Sequence, residues 1–244
     1  MRLTVFAGRN LREMARDPLT LFFGIAFPLV LLLLLSAIQA NIPVAMFEID
    51  GLAPGMAVFG QCFLALFAAL LIAKDRTTAL TRRLYASPMR EKDFILGYVL
   101  PMFPMALCQS LICLLCGGIM GMRLSYLWLI LIALAPSALV FIALGLLFGS
   151  VLTDRQAGGI CGALLTNLVA WLSGIWFDVK LAGKAFEAIA NALPFIHGVR
   201  AAQAAVTGDI SSLIPHLAIV SAYAVGLLIL AVLCFRHAMR RAQK

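Results

Sequence analysis

Charge is scarce in this chain. Asp, Glu, Lys and Arg make up 12% of its 244 residues, about half of the roughly 25% that a soluble domain carries. Hydrophobic residues make up 63%, and the mean hydropathy is +1.02. The interiors of the long apolar runs hold no Asp, Glu, Lys or Arg. That speaks against an ion- or proton-coupled transporter, which keeps ionisable groups near the bilayer midplane. No Gly-x-x-x-x-Gly-Lys-Ser/Thr run occurs, so the sequence contains no phosphate-binding loop of that kind. With four Tyr and three Trp, a long aromatic sugar-binding tunnel is not indicated. All six cysteines fall inside apolar runs. Cys113 and Cys116 have a redox-like spacing but no His or carboxylate beside them, and they read as packing residues. Ser173 with His197 or His216 is the one serine–histidine pairing that an intramembrane protease would have. It lacks a Gly-x-Ser context. Ser173 therefore reads as a packing hydroxyl, and both histidines read as wet side chains at interface level.

What the chain has instead is apolar length. An all-α polytopic membrane protein follows, with six transmembrane helices over 19–38, 54–73, 94–122, 124–152, 158–177 and 213–235. Asp17-Pro18 opens the first as a cap followed by proline, and Pro28 kinks it. The third and fourth spans are each about 29 residues, or roughly 43 Å of helix. That exceeds a hydrocarbon core of about 30 Å, so they tilt or kink, with Pro101, Pro104 and Pro136 as the kink sites. Gly117 and Gly118, and later Gly158, Gly159, Gly162 and Gly174, offer close helix contact. Trp171 and Trp176 read as interfacial anchors.

Three other stretches interrupt the spans. Residues 1–17 alternate Arg2, Arg9, Arg12 and Arg16 with apolar side chains, the pattern of a helix lying in the headgroup layer. A signal peptide is the weaker reading, because the apolar run that follows is too long for one. Residues 74–93 carry six of the 19 Lys and Arg and must lie in water. Within them Thr77, Leu80, Thr81 and Leu84 share one helical face, while Arg82 and Arg83 point elsewhere. Ser87-Pro88 ends the helix. A helix docking on a soluble partner fits; a lipid-surface helix is the alternative. In residues 178–209, Leu181, Phe186, Ile189 and Leu193 form one apolar face, and Pro194 then breaks the run. Phe195, Val199, Ala202 and Val206 form a second face, ending at Gly208. Neither half is long enough to span, so an external re-entrant hairpin is expected. It would serve as an exit gate or a lid, with Phe186, Pro194, Phe195 and Arg200 as gate candidates. With both termini in the cytoplasm, 15 of the 19 Lys and Arg lie inside and four outside. The positive-inside rule favours that orientation, and a bacterial inner membrane is the expected location.

The stretch Arg9-Asn-Leu-Arg-Glu-Met-Ala-Arg-Asp-Pro18, followed by a proline-containing span, resembles the amphipathic N-terminal helix of ABC-2 type ATP-binding-cassette exporter permeases. Thr81-Arg-Arg-Leu-Tyr-Ala-Ser-Pro-Met-Arg90, then Phe94-Ile-Leu-Gly97, resembles the region after that family's coupling helix. Asn191-Ala-Leu-Pro-Phe-Ile-His-Gly-Val-Arg200 resembles its proline–aromatic stretch before the last span. The chain departs at Ala79-Leu80-Thr81, where the family often has Gly-Thr-Leu. Its early acidic residues are thinned to Asp75, and Arg90 comes one position early.

The resemblance implies a permease that is not itself an enzyme. It would be a homodimer, or a pair with a close paralogue, above two ATP-binding-cassette ATPase subunits. ATP and Mg would be bound by those partners. Their closure would push the coupling helix formed by residues 77–84, moving an amphipathic, lipid-like or drug-like substrate outward. A glycolipid or polysaccharide is also compatible. The alternatives are a non-transporting assembly or immunity subunit and, third, an intramembrane enzyme.

Overall fold

A computed structural model describes residues 2–42, 44–77 and 91–242. The expected coupling helix, Thr77 excepted, therefore lies outside the described residues, as do Leu80, Thr81, Arg82, Arg83, Leu84, Ser87 and Pro88. Among the described residues the secondary structure is helical, without strands.

Helix α1 spans Arg2–Arg16 and α2 spans Pro18–Asn41. Next come α3 (Ile49–Thr77), α4 (Glu91–Ile119) and α5 (Leu127–Val151). Helix α6 covers 154–172, α7 Lys184–Ala192, α8 Pro194–Thr207 and α9 Ile210–Ala242. Five of these, α2, α3, α4, α5 and α9, are long and apolar enough to cross a membrane.

Helix α3 is the axis of the fold. Its most apolar window is 89% buried, against 22% for α2 and 17% for α9. It packs on α5, α4 and α8, and α9 covers the other side of α5. The reason is side-chain size. A Cβ at Gly145 would sit 2.6 Å from the Ala65 carbonyl oxygen, and one at Gly149 would sit 2.8 Å from that of Ala69. Small residues four apart on α5 thus meet Ala65, Ala68 and Ala69 on α3, and the backbones nearly touch. Close approach was expected partly at Gly158, Gly159, Gly162 and Gly174. There the structure differs: Gly159 faces open space, Gly158 and Gly162 make only ordinary contacts, and Gly174 has φ +73° and turns the chain.

Proline and glycine place the irregularities. Pro28 has no N–H for the Gly24 carbonyl, and α2 passes through a π turn at Phe22–Ala26 just before it. A second π turn, Ile160–Leu165, interrupts α6. There the Thr166 hydroxyl donates to the Cys161 carbonyl at 3.1 Å, a side chain inserted into the ladder. The fifth apolar stretch accordingly differs from expectation. Its helix ends at Leu172, and residues 173–177 are irregular. The fourth span, α5, begins only at Leu127, because Gly121 (φ +102°) turns the chain after α4.

Candidate functional site

The end of the bundle that leads into residues 78–90 carries a polar latch. Asp75 sits in the last turn of α3 and is 2% exposed. Arg9 of α1 grips it with both terminal nitrogens, Nη1 to Oδ2 at 2.7 Å and Nη2 to Oδ1 at 2.9 Å. Tyr98 of α4 donates its hydroxyl to Oδ2 at 2.9 Å. One carboxylate thus ties together three helices, two of which flank residues 78–90. Bidentate guanidinium–carboxylate pairing is among the stronger polar contacts and also fixes orientation.

The latch extends sideways. Glu13 pairs with Arg9 and, at 3.2 Å, with Lys74. Burial works against the Arg9 cation. The hydrogen bond and charge of Asp75, joined by Glu13 and Tyr98, outweigh it, so Arg9 holds its proton more tightly than a free guanidinium. Buried Asn10 donates to the Gly97 carbonyl oxygen at 3.0 Å. Phe6 meets the Tyr98 ring edge-on at 5.2 Å. A Cβ at Gly97 would lie 2.2 Å from the Phe6 ring, so glycine lets α1 close onto α4. Arg76 reaches the other way, donating to the carbonyl oxygens of Gly149 and Leu152 at 3.0 and 3.2 Å and closing the C-terminus of α5. Thr77, the one described residue of the expected docking face, ends α3 and donates to the Lys74 carbonyl oxygen.

Of Arg9, Arg12 and Arg16 in the leader, then, the structure takes Arg9 into the protein. Arg12 and Arg16 stay exposed. Asp75 and Tyr98 were not foreseen as a pair with Arg9. Asp75 stood out only as an acidic residue in a basic stretch, and nothing local in the sequence points to a partner 66 positions away.

The opposite end carries the other candidate residues. Pro194 and Phe195 are buried at the start of α8, with the Phe195 ring stacked on Phe141 at 5.7 Å. Phe186 is half-buried against Phe177 at 5.9 Å. The expected face through Leu181 and Ile189 does not form: Gly183, at φ +99°, separates a short turn from α7, and Leu181 is 83% exposed. Arg200 is half-buried, donates to Asn191 Oδ1 at 2.7 Å, and lines a cavity of about 570 Å³ with Asp50, Asp178 and Gln203.

His197 also differs from expectation. It is 6% exposed, with Nδ1 2.9 Å from His216 Nδ1 and Nε2 2.9 Å from the Asn191 carbonyl oxygen. The helix break at Leu193–Pro194 puts that carbonyl beside the ring, which a reading of spacing alone does not show. Ser173 is buried and donates to the Ala170 carbonyl oxygen, not to a histidine. Trp176, expected as an anchor, packs edge-on against Phe59 at 5.8 Å with its ring nitrogen buried and unbonded.

Among the described residues no cluster of three or more His, Cys, Asp or Glu could hold a metal ion. The N-terminal helix of this membrane bundle is thus latched to the helices on either side of a basic segment. The family model described as ABC-2 type transporter matches residues 1–207. The chain belongs to that family. It is a multi-pass membrane permease of an ABC-type transporter, and ABC-2 membrane domains typically work with a separate ATP-binding subunit. No curated protein matches the permease significantly.

Proposed function

We propose that this permease exports an amphipathic, lipid-like or drug-like substrate across a bacterial inner membrane, driven by two copies of a separate ATPase below a permease dimer. In this reading 154–172 is a sixth crossing, both termini are cytoplasmic, and residues 178–209 face outward. The positive-inside count supports that orientation.

The observation that carries the reading is the latch on Asp75. It joins α1, α3 and α4 where α3 and α4 meet residues 78–90. A push delivered to that segment would move three helices together instead of bending one end. Packing then passes the displacement to α5, through the Gly145 and Gly149 contact and through Arg76. The far end of the bundle, where α8 is wedged among α3, α5 and α9, is where the motion would open an exit. The sparsely buried α2 and α9 leave apolar faces such as Val30, Leu33, Leu34, Val225 and Ile229 for lipid or a second copy.

The test uses tagged permease co-expressed with its ATPase. Leu80→Asp and Leu84→Asp should abolish recovery of the ATPase while the permease still purifies as a folded helical protein. Undiminished ATPase recovery with both variants would overturn the docking role. A substrate panel scored by stimulation of ATP hydrolysis in the intact complex then identifies the cargo.

A further inference from the structure

Beside the latch, α1, the start of α2 and Lys74 of α3 line an open surface cleft of about 570 Å³. Four cations line it, Arg9, Arg12, Arg16 and Lys74, against two carboxylates, Glu13 and Asp17. Both carboxylates are engaged. Glu13 pairs with Arg9 and Lys74. Asp17 accepts from the backbone N–H groups of Leu19 and Thr20 and from the Thr20 hydroxyl. Arg12 and Arg16 are exposed and have no hydrogen-bond or ion-pair partner among the described residues. The cleft thus offers two uncommitted guanidinium forks.

A second, smaller hollow of about 130 Å³ adjoins it and shares Glu13, Asp17 and Lys74 as its rim. Its walls are mostly apolar, Met14, Phe67, Leu70 and Leu71, with Thr20 among them. That volume equals roughly four waters in the liquid, enough for the first methylenes of a chain but not for a whole acyl tail. Basic cleft and apolar hollow lie side by side on a helix with charged and apolar faces, next to a membrane-crossing helix.

We propose that this pair of hollows is a binding site for one anionic phospholipid. The phosphate sits between Arg12 and Arg16, near Lys74, and the upper part of a chain lies on Phe67 and Leu70. Guanidinium groups match phosphate oxygens two at a time. The site lies beside Glu13, which links Lys74 to Arg9, so an occupied site stabilises the same three-helix joint. The proposal rests on α1 lying in the headgroup layer, as set out above, but not on transport or on the ATPase.

The test uses permease purified alone in an uncharged detergent. Lipid retention is read by native mass spectrometry, and stabilisation by thermal unfolding. The probes are phosphatidylglycerol, phosphatidylcholine with the same chains, and inorganic phosphate. One phosphatidylglycerol per chain should be retained in preference to phosphatidylcholine, and inorganic phosphate should protect only weakly. Arg12→Gln and Arg16→Gln should each weaken phosphatidylglycerol binding about fivefold, the size expected for one basic residue at a membrane surface. Arg155→Gln removes one likewise exposed charge outside the cleft and should leave binding unchanged.

Equal retention of the two lipids would overturn the site. So would an equal loss in Arg155→Gln, which would mean diffuse attraction to net charge. Inorganic phosphate binding as tightly as the lipid would overturn the lipid as occupant. Because no ATPase is present, any of these failures leaves the coupling reading standing, and failure of the docking variants leaves this one standing.

Discussion

Replacing Asp75 with Asn keeps the shape of the latch and removes its charge. The native carboxylate accepts two bonds from Arg9 and one from Tyr98, at 2.7, 2.9 and 2.9 Å. Hydrogen bonds to charged groups contribute about 1.5–3 kcal/mol each in favourable cases. The Arg9 side chain is 35% exposed, so solvent screening holds its share to the lower end. Asn retains one acceptor oxygen. The single substitution should therefore cost about 2 kcal/mol. Arg9→Gln should cost at least as much, because it takes the Arg9 charge and its two hydrogen bonds from a carboxylate that is 2% exposed. The double variant should cost clearly less than the sum, giving a coupling energy of about 1–2 kcal/mol. Unfolding in mixed detergent micelles, followed by helical circular dichroism across the four proteins, measures this. Additivity within about 0.5 kcal/mol would refute the latch as a stabilising contact. In complex with the ATPase, Asp75→Asn should also lower substrate-stimulated hydrolysis more than basal hydrolysis, since it loosens the joint and not the nucleotide site.

Three other outcomes follow from the geometry. Gly149→Val should destabilise the bundle by about 1–3 kcal/mol, because even a Cβ there lies 2.8 Å from the Ala69 carbonyl oxygen; the same substitution at Gly159, which faces open space, should be far milder in the same unfolding assay. Hydrogen bonds from the Ser211 and Ser212 hydroxyls and the Ser212 backbone push the Asp209 carboxyl down to about 2 from an ordinary 3.8. Its cap on the start of α9 is therefore fully present above pH 4 and is lost as pH falls from about 4 towards 2; a carboxyl ¹³C titration with a midpoint near 3.8 would contradict that. Deleting residues 186–195 should abolish transport while leaving ATPase recovery intact, and unchanged transport would rule out a gating role for α7 and the head of α8.

The membrane class was legible from the sequence alone because hydropathy is local. A long uncharged run has few ways to satisfy its backbone except as a helix in lipid, and five such helices stand in the structure. Helix ends marked by backbone chemistry were equally readable. Asp17-Pro18 opens α2, and Gly208, at φ +73°, closes α8. The motifs that resemble ABC-2 permeases lie in order along the chain, so they too needed no coordinates.

What only the tertiary structure decided is which helix the others surround and which charges meet. α3 is less apolar than α2, α5 and α9; it is central because Gly145 and Gly149 let α5 come within backbone contact of it. Arg9 looked like one more headgroup-seeking cation among four, and became the partner of Asp75 because Gly97 lets α1 settle against α4. Hydrophobic pattern states whether a segment leaves water. It does not state which of several apolar faces it will meet, since that depends on shape at sites distant along the chain. A polar group's partner is settled by the same packing, so the latch appeared only once the helices were in place.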